Sequence, residues 1–360
     1  MKVAILSPVA WRTPPRHYGP WEQMASNVAE GLLALGVDVT LFATADSATA
    51  GTLAAVVPHG YEEDRNQDAK VVECLHISHL MERAGEFDLI HNHFDFLPLT
   101  YSRLIAPPMV TTIHGFSSAK ILAVYEKYAA TSAYVSISHA DRSPRLPYAA
   151  TVYNGLRVSD FDFTEKPDDY LLFFGRIHPD KGPAEAIEIA RRSGKRLFLA
   201  GLVQDEAYFH ERIEPLLSDA VVFLGLAGPA QRNRLVGHAL ALLHPICFDE
   251  PFGLSVAEAM LCGTPVIAFN RGAMPELIQH GQTGFLVNTV GQAVEAVQQL
   301  GDISRAACRA WASTNFSQEK MAVDYLALYK QLVQNPYTAE HLSSSFSSNE
   351  ARSTVTNEEQ

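Results

Sequence analysis

Short apolar runs recur along the chain, each closed by turn or polar residues: Val3 to Leu6, Val37 to Ala43, Leu89 to His93, Met109 to His114, Tyr134 to Ser138 and Thr151 to Tyr153. Runs of this length without polar alternation predict strands buried on both faces, as in a parallel sheet. Helical patterns lie between several of them. The clearest covers Glu22 to Leu35, where Met24, Val28, Leu32 and Leu35 line one face and Gly36 supplies the stop. A second series follows, with runs at Tyr170 to Phe174, Arg196 to Ala200, Ala220 to Leu224, Ala239 to Leu243, Pro265 to Phe269 and Phe285 to Val287, again separated by helical stretches. Strand and helix alternating twice over predicts two α/β units.

Between the series lies an acidic, proline-containing stretch from Val158 to Asp169, which suits an exposed hinge. It sets the boundary near residue 160 and gives an N-terminal unit over 1–158 and a C-terminal unit over 159–317. From about Asn335 the chain turns polar and rich in Ser, Thr, Asn and Glu, so 335–360 is expected to be a disordered tail. The 360 residues are 47% hydrophobic, enough for two cores, and the formal charge of −12 argues against a nucleic-acid partner. Cys74, Cys247, Cys262 and Cys308 are too dispersed for a structural zinc site or a disulfide framework. No stretch of eighteen apolar residues occurs, and Met1-Lys2 runs directly into a strand pattern; a cytoplasmic location is the expectation.

In open α/β sheets ligands bind beyond the carboxyl ends of strands, so polar residues that follow an apolar run are the first candidates. Phe174-Gly175-Arg176 followed by Lys181-Gly182 brings two fixed cations to one strand end, which suits a diphosphate leaving group, although two solvated surface cations have the same spacing. In Asp249-Glu250-Pro-Phe-Gly253-Leu254-Ser255-Val-Ala-Glu258, Gly253 allows close backbone approach and the amides near Leu254 and Ser255 begin a helix whose positive end suits phosphate. Glu250 on the loop and Glu258 one turn inside suit sugar hydroxyls; a dipole-stabilised carboxylate and an ordinary surface one are the alternative. Thr112-Ile-His114-Gly115 ends a strand in a histidine. A competing pattern is His91-Asn-His93-Phe-Asp95, the His-x-His-x-Asp spacing of metal-dependent hydrolases at a strand end. Asp160-Phe-Asp162 repeats a metal-binding Asp pair but falls in the hinge. No Walker A or Gly-x-Gly-x-x-Gly sequence occurs, which weakens nucleotide-hydrolase and dehydrogenase readings.

Taken together, Glu250-Pro-Phe-Gly-Leu-Ser-Val-Ala-Glu258-Ala-Met, Gly263-Thr-Pro-Val-Ile267, Gly272, Pro275-Glu276 and Gly281-x-x-Gly284-Phe resemble the retaining nucleotide-sugar glycosyltransferases of family 4. The resemblance covers the chain to about residue 333. It implies the GT-B architecture of two Rossmann-like α/β/α domains whose parallel sheets face across a cleft, with a final helix, 318–333, packing back on the first domain. It also implies a hexose-type sugar moved from a UDP- or GDP-sugar to a soluble small-molecule or saccharide acceptor, with no metal or other cofactor. By the same resemblance Arg176 and Lys181 grip the phosphates, Glu258 contacts the ribose, and Glu250 with the Gly253-Leu254 amides holds the sugar. His114 is then the active-site histidine.

The chain departs from the family pattern after its first strand, where Tyr18-Gly19-Pro20-Trp21-Glu22 replaces a Gly-Gly loop; Pro20 has no amide to offer a phosphate, which leaves Gly19 as the candidate contact. Trp11, His17, Trp21, His91, His93 and Asp95 gather where the family's acceptor enters and are candidate acceptor contacts, Trp faces being suited to sugar rings and equally to core packing. Residues 1–158 carry 12 basic and 15 acidic side chains, so strong membrane docking is not expected. The alternatives are a metal-dependent hydrolase built on His91, His93 and Asp95, and a nucleotide-sugar binding protein without turnover.

Overall fold

The computed structural model describes residues 1–17, 19–116 and 118–334. The tail expected to be disordered, 335–360, lies outside the described residues. The chain divides into two units: among the described residues, Met1–Ile137, Arg142–Val152 and 321–334 form the first, and Ser138–Asp141 with Tyr153–Lys320 form the second.

The first unit holds seven strands: β1 (Lys2–Leu6), β2 (Asp38–Phe42), β3 (Thr52–Ala54), β4 (Leu89–Asn92), β5 (Met109–Ile113), β6 (Ala133–Ser136) and β7 (Tyr148–Thr151). They form one parallel sheet in the order β3-β2-β1-β4-β5-β6-β7. Both faces are buried, as the unalternating runs require. Val3 and Ile5 pack with Ala25, Val28 and Leu32 of the helix Pro20–Ala34 and with Met321, Tyr325 and Tyr329 of the last helix, whereas Ala4 and Leu6 pack with Ile77 and Leu80 on the other side. Each fully buried aliphatic chain of this kind contributes about 1.5–3 kcal/mol.

The second unit holds β8 (Tyr170–Phe174), β9 (Arg196–Ala200), β10 (Val221–Phe223), β11 (Ala241–His244), β12 (Val266–Phe269) and β13 (Gly284–Val287). These are also all parallel, in the order β10-β9-β8-β11-β12-β13. In both units the strand order reverses once, between β1 and β4 in the first and between β8 and β11 in the second. Connections leave these strand pairs in opposite directions and leave a crevice at their carboxyl ends.

Differences from the sequence expectation are local. The edge strand β3 is three residues long and has too little apolar pattern to stand out. The last strand of the first sheet falls at Tyr148–Thr151 rather than Thr151–Tyr153, because Tyr153 packs in the second unit, 5.7 Å from Phe316 and 6.2 Å from Phe252 between ring centres. The chain therefore enters the second unit before the acidic stretch where composition sets the boundary. The first long helix starts at Pro20, a favoured first helical position because the missing amide would have no partner there. No helix among the described residues is long and apolar enough to cross a membrane.

Two helix-flanking glycines in the left-handed region separate backbone strain from close approach. Gly194 has φ 67° and open space where a Cβ would stand, whereas at Gly182, φ 71°, a Cβ would meet the Pro245 carbonyl oxygen at 2.0 Å. Gly194→Ala is expected to cost about 1 kcal/mol from conformation alone. Gly182→Ala is expected to cost at least about 2 kcal/mol more, because the backbone after β11 must move. Thermal unfolding of the two variants compares them; equal losses would mean that the Pro245 contact yields without cost.

Candidate functional site

At the reversal in the second unit, β8 ends in Phe174 and is followed by Gly175-Arg176, while β11 ends in His244. Lys181 comes from the short turn Pro179–Lys181, and its ammonium donates to the Glu250 carboxylate while lying 4.7 Å from the centre of the Phe248 ring. Only 14% of the Lys181 side chain and 12% of that of Glu250 are exposed, so removing either leaves a charge without water or partner. Burial pushes the Glu250 carboxyl up, but His244 and the Lys181 ammonium outweigh it and hold it down at about 2. His244 is itself kept neutral chiefly by burial; its Nε2 lies 3.7 Å from Glu250 Oε2, beyond a good hydrogen bond, and has no other protein partner. Arg176, half-buried, donates to Gln204 Oε1.

The loop after β11 leads into the helix Leu254–Leu261, with Gly253 at its N-cap at φ 95° and no capping side chain. The first amides of this helix are left without a capping acceptor at the positive end of the helix dipole. Gly272 backs the loop so closely that a Cβ there would lie 2.3 Å from the Glu250 amide nitrogen. Glu258, buried one turn into the helix, accepts from Arg232 Nη1 at 3.0 Å; burial raises its carboxyl and Arg232 opposes the rise. Behind the loop, Ser138 Oγ donates to the Pro251 carbonyl at 2.6 Å. Ser138 belongs to a short segment anchored by Glu276, whose two carboxylate oxygens accept the His139 and Ala140 amides at 2.8 Å each.

At the reversal in the first unit, the carboxyl ends of β1 and β4 open into a cavity of about 490 Å³ whose walls include Pro8, Trp11, Gly19, Trp21, Phe94 and Asp95. Three carboxylates line it. Glu22 is pushed up to about 7 by burial although it accepts the Trp11 amide at 3.2 Å. Glu73 is raised by burial, with the Tyr61 hydroxyl donating to it. Asp95, at φ 84°, is raised by burial while accepting from the Tyr125 hydroxyl.

Beside the cavity runs a chain of rings in which His93 and His91 are fully buried. Trp21 stacks on His114 with ring centres 5.7 Å apart, His114 Nε2 and His93 Nδ1 share a hydrogen bond of 2.9 Å, and His93 Nε2 lies 3.2 Å from His91 Nδ1. His91 continues to Tyr329 at 2.5 Å and to Thr112 at 2.7 Å, and Thr112 continues to Tyr325 at 2.7 Å. Burial keeps all three histidines neutral: His91 and His93 lie well below the usual imidazole value and His114 falls to about 3.

The description "Glycosyltransferase Family 4" matches residues 22–153, and "Glycosyl transferases group 1" matches 159–311. The chain belongs to glycosyltransferase family 4. It is 31% identical over 184 residues to the D-inositol 3-phosphate glycosyltransferase of Mycolicibacterium smegmatis, covering 48% of this chain and 42% of that protein. Over 166 residues it is 30% identical to an uncharacterised 41.2 kDa protein in the cps region of Klebsiella pneumoniae, covering 44% of this chain and 46% of the other. The chain thus spans under half the length of these relatives. Its fold is that of AviGT4, a glycosyltransferase involved in avilamycin A biosynthesis, with a TM-score of 0.70 at 23% identity over 94% of this chain and 99% of that one. Its fold class is GT-B.

The expected donor residues Arg176, Lys181, Glu250, Gly253, Leu254, Ser255 and Glu258 all lie on the segments that follow β8 and β11 or begin the next helix. Of the expected acceptor contacts, Trp11, Trp21 and Asp95 line the cavity of the first unit, as does Gly19. His17 does not line it and is exposed, because it precedes the turn into the helix at Pro20. His91 and His93, also expected as acceptor contacts, are fully buried and do not line the cavity; they are bound to each other and to Tyr329, Thr112 and His114. The His91/His93/Asp95 ligand set does not form: both rings are spent on this network and Asp95 is bound by Tyr125. Among the described residues no three His, Cys, Asp or Glu side chains converge as metal ligands.

Sequence reasoning missed His244, Arg232 and Gln204. His244 ends an apolar run at a strand end, so the strand-end rule would have found it; Arg232 and Gln204 reach their partners across the fold with no local signal.

The neutral histidines set a pH dependence. Their folded values lie below the unfolded imidazole value, so the unfolded chain takes up protons first as pH falls, and stability is lost below about pH 6.5. Each contributes a slope of up to about 1.4 kcal/mol per pH unit while its folded form stays neutral. Glu22 and Asp141, both raised to about 7, act in the opposite sense, as do Glu73, Asp95 and Glu258, also raised by burial, so the contribution of His91, His93, His114 and of buried His76, lowered to about 4, is read from the difference between a histidine variant and the wild type. Between pH 6.5 and 4.5 the thermal midpoint of His93→Gln is expected to shift less toward destabilisation than that of the wild type, because one acid-labile contribution has been removed. Parallel profiles for the two proteins would mean that the His93 ring does not stay neutral in the folded state.

Proposed function

We propose that this glycosyltransferase moves a hexose-type sugar from a UDP- or GDP-sugar to a soluble acceptor, with retention of anomeric configuration and without a metal or other cofactor. The observation that carries the reading is the concentration of Arg176, Lys181 and an uncapped helix start at the β8/β11 reversal, a preorganised seat for the charge that develops on a departing diphosphate. Glu250, ionised beside an unpartnered His244 Nε2, offers an acceptor and an adjoining ring nitrogen to sugar hydroxyls. Glu258, fixed by Arg232, is the candidate ribose contact. Similar folds support the donor class: one solved relative, Anabaena HepE, is described in complex with UDP and glucose, at a TM-score of 0.69 and 20% identity over 92% of this chain and all of that one.

In this reading the leaving phosphate oxygen takes the acceptor proton on the face it departs from, so that the new bond forms on that same face and no protein nucleophile is needed. His114, held neutral by burial and positioned by His93 and Trp21, supplies a hydrogen-bonding group to the transferred sugar. The cavity of the first unit receives the acceptor.

Calorimetric titration with nucleotide sugars, followed by released-nucleotide and product-anomer measurements with and without EDTA, tests the proposal. One donor should bind tightly and turn over equally in EDTA, and the product should keep the donor's anomeric configuration. Loss of turnover in EDTA or an inverted product would overturn the corresponding clause, and binding without any turnover would make the chain a nucleotide-sugar binder. Lys181→Ala and Arg176→Ala should each lower turnover at least about a hundredfold; rates within a few-fold of wild type would remove them from the leaving-group site. Glu250→Gln should reduce transfer more than nucleotide affinity and Glu258→Gln the reverse, read from kcat against nucleotide Kd.

A further inference from the structure

Resting on the reading of the first-unit cavity as the acceptor site, the composition of its wall narrows the acceptor's chemistry. The cavity, about 490 Å³, falls within the range of small-molecule clefts, about 300–1,000 Å³. Trp11, Trp21 and Tyr61 give it flat apolar surface of the kind that stacks on the C–H faces of a ring. Its acidic lining consists of Glu22, Glu73 and Asp95, and among the described residues none that lines it is Lys, Arg or His. The basic groups nearest in sequence do not change this: neither Arg12 nor Arg16 lines the cavity, and Arg16 is held by Glu63 at 2.8 Å and Asp46 at 3.2 Å.

We infer that the cavity accepts a ring polyol or saccharide that carries no negative charge, and that Glu22, Glu73 and Asp95 exclude phosphorylated and carboxylated acceptors. Each carboxylate is already engaged by a fixed donor on one side, Glu22 by the Trp11 amide, Glu73 by the Tyr61 hydroxyl and Asp95 by the Tyr125 hydroxyl. These contacts hold the side chains as acceptors in the wall, where hydroxyl groups of a neutral ring can donate to them. Burial and mutual repulsion raise Glu73, so a further anion placed among these groups meets like charge in a poorly solvated space with no cation to offset it. Trp21 lines the cavity and also stacks on His114, which places a ring in this cavity next to the residue assigned to the transferred sugar.

The test is acceptor-stimulated release of nucleotide from the preferred donor, using matched pairs: glucose with glucose 6-phosphate and glucuronate, myo-inositol with its monophosphate, and a neutral disaccharide with its uronate counterpart. At least one neutral member should be used at least tenfold better, in kcat/KM, than its anionic partner. Glu73→Gln should reduce that ratio severalfold, and Glu73→Asp, which keeps the charge, should retain it. An anionic member used as well as or better than its neutral partner overturns the inference. So does a panel in which no neutral member stimulates turnover while the donor alone is slowly hydrolysed. Absence of both donor binding and donor hydrolysis would instead remove the transferase reading beneath it.

Discussion

A parallel sheet can be wound outward from its middle in two directions, and at the one place where the winding reverses, the strand ends are not covered by a connecting segment. This constraint organises both halves of the protein. In the first unit the reversal between β1 and β4 opens the cavity walled by the segments that follow those strands. In the second it separates β8 from β11, and Arg176, Lys181, His244 and Glu250 all come from the residues that end or follow those two strands. Rigid buried strands fix the starting points, and the short segments after them carry the chemistry. Close-packed glycines make those segments possible: a side chain at Gly272 would strike the backbone of Glu250, and one at Gly182 the backbone after β11.

The two sites handle buried charge in opposite ways. In the second unit the carboxylates meet cations, Glu250 with Lys181 and Glu258 with Arg232, so that each buried charge is paired. A ligand that carries its own negative charge then finds Arg176 and a helix start positioned for it. Around the first-unit cavity Glu22, Glu73 and Asp95 accept from neutral donors, and the histidines beside them are neutral because burial makes their charged form costly. One wall presents cations beside its carboxylates and the other presents carboxylates alone, a division that suits the proposed reaction, in which one substrate is a nucleotide sugar.

The three histidines show how a sequence pattern can carry two meanings. His-x-His-x-Asp at a strand end has metal-ligand spacing, yet spacing fixes only which side of the strand the residues occupy. What the rings bind depends on what packs above them, and here the last helix brings Tyr325 and Tyr329 against Thr112 and His91. Those partners lie more than 200 residues away along the chain.

The alternation of apolar runs and helical patterns determined the α/β class, the repeated unit, all but one of the strands to within a few residues, and the segments that hold Arg176, Lys181, Glu250 and Glu258. These are local properties: burial on both faces dictates unbroken apolar runs, and a turn beside a ligand dictates glycine. Only the tertiary structure decided that Tyr153 belongs to the second unit, that His244, Arg232 and Gln204 partner the predicted residues, and that His91 and His93 support His114 while His17 stays exposed. It also decided the acidic character of the cavity, since Glu22, Glu73 and Asp95 are distant in sequence and meet only when β1, β4 and their flanking helices pack. Local pattern fixes which face of an element is buried; which polar groups then meet depends on long-range packing, for which the chain carries no local mark.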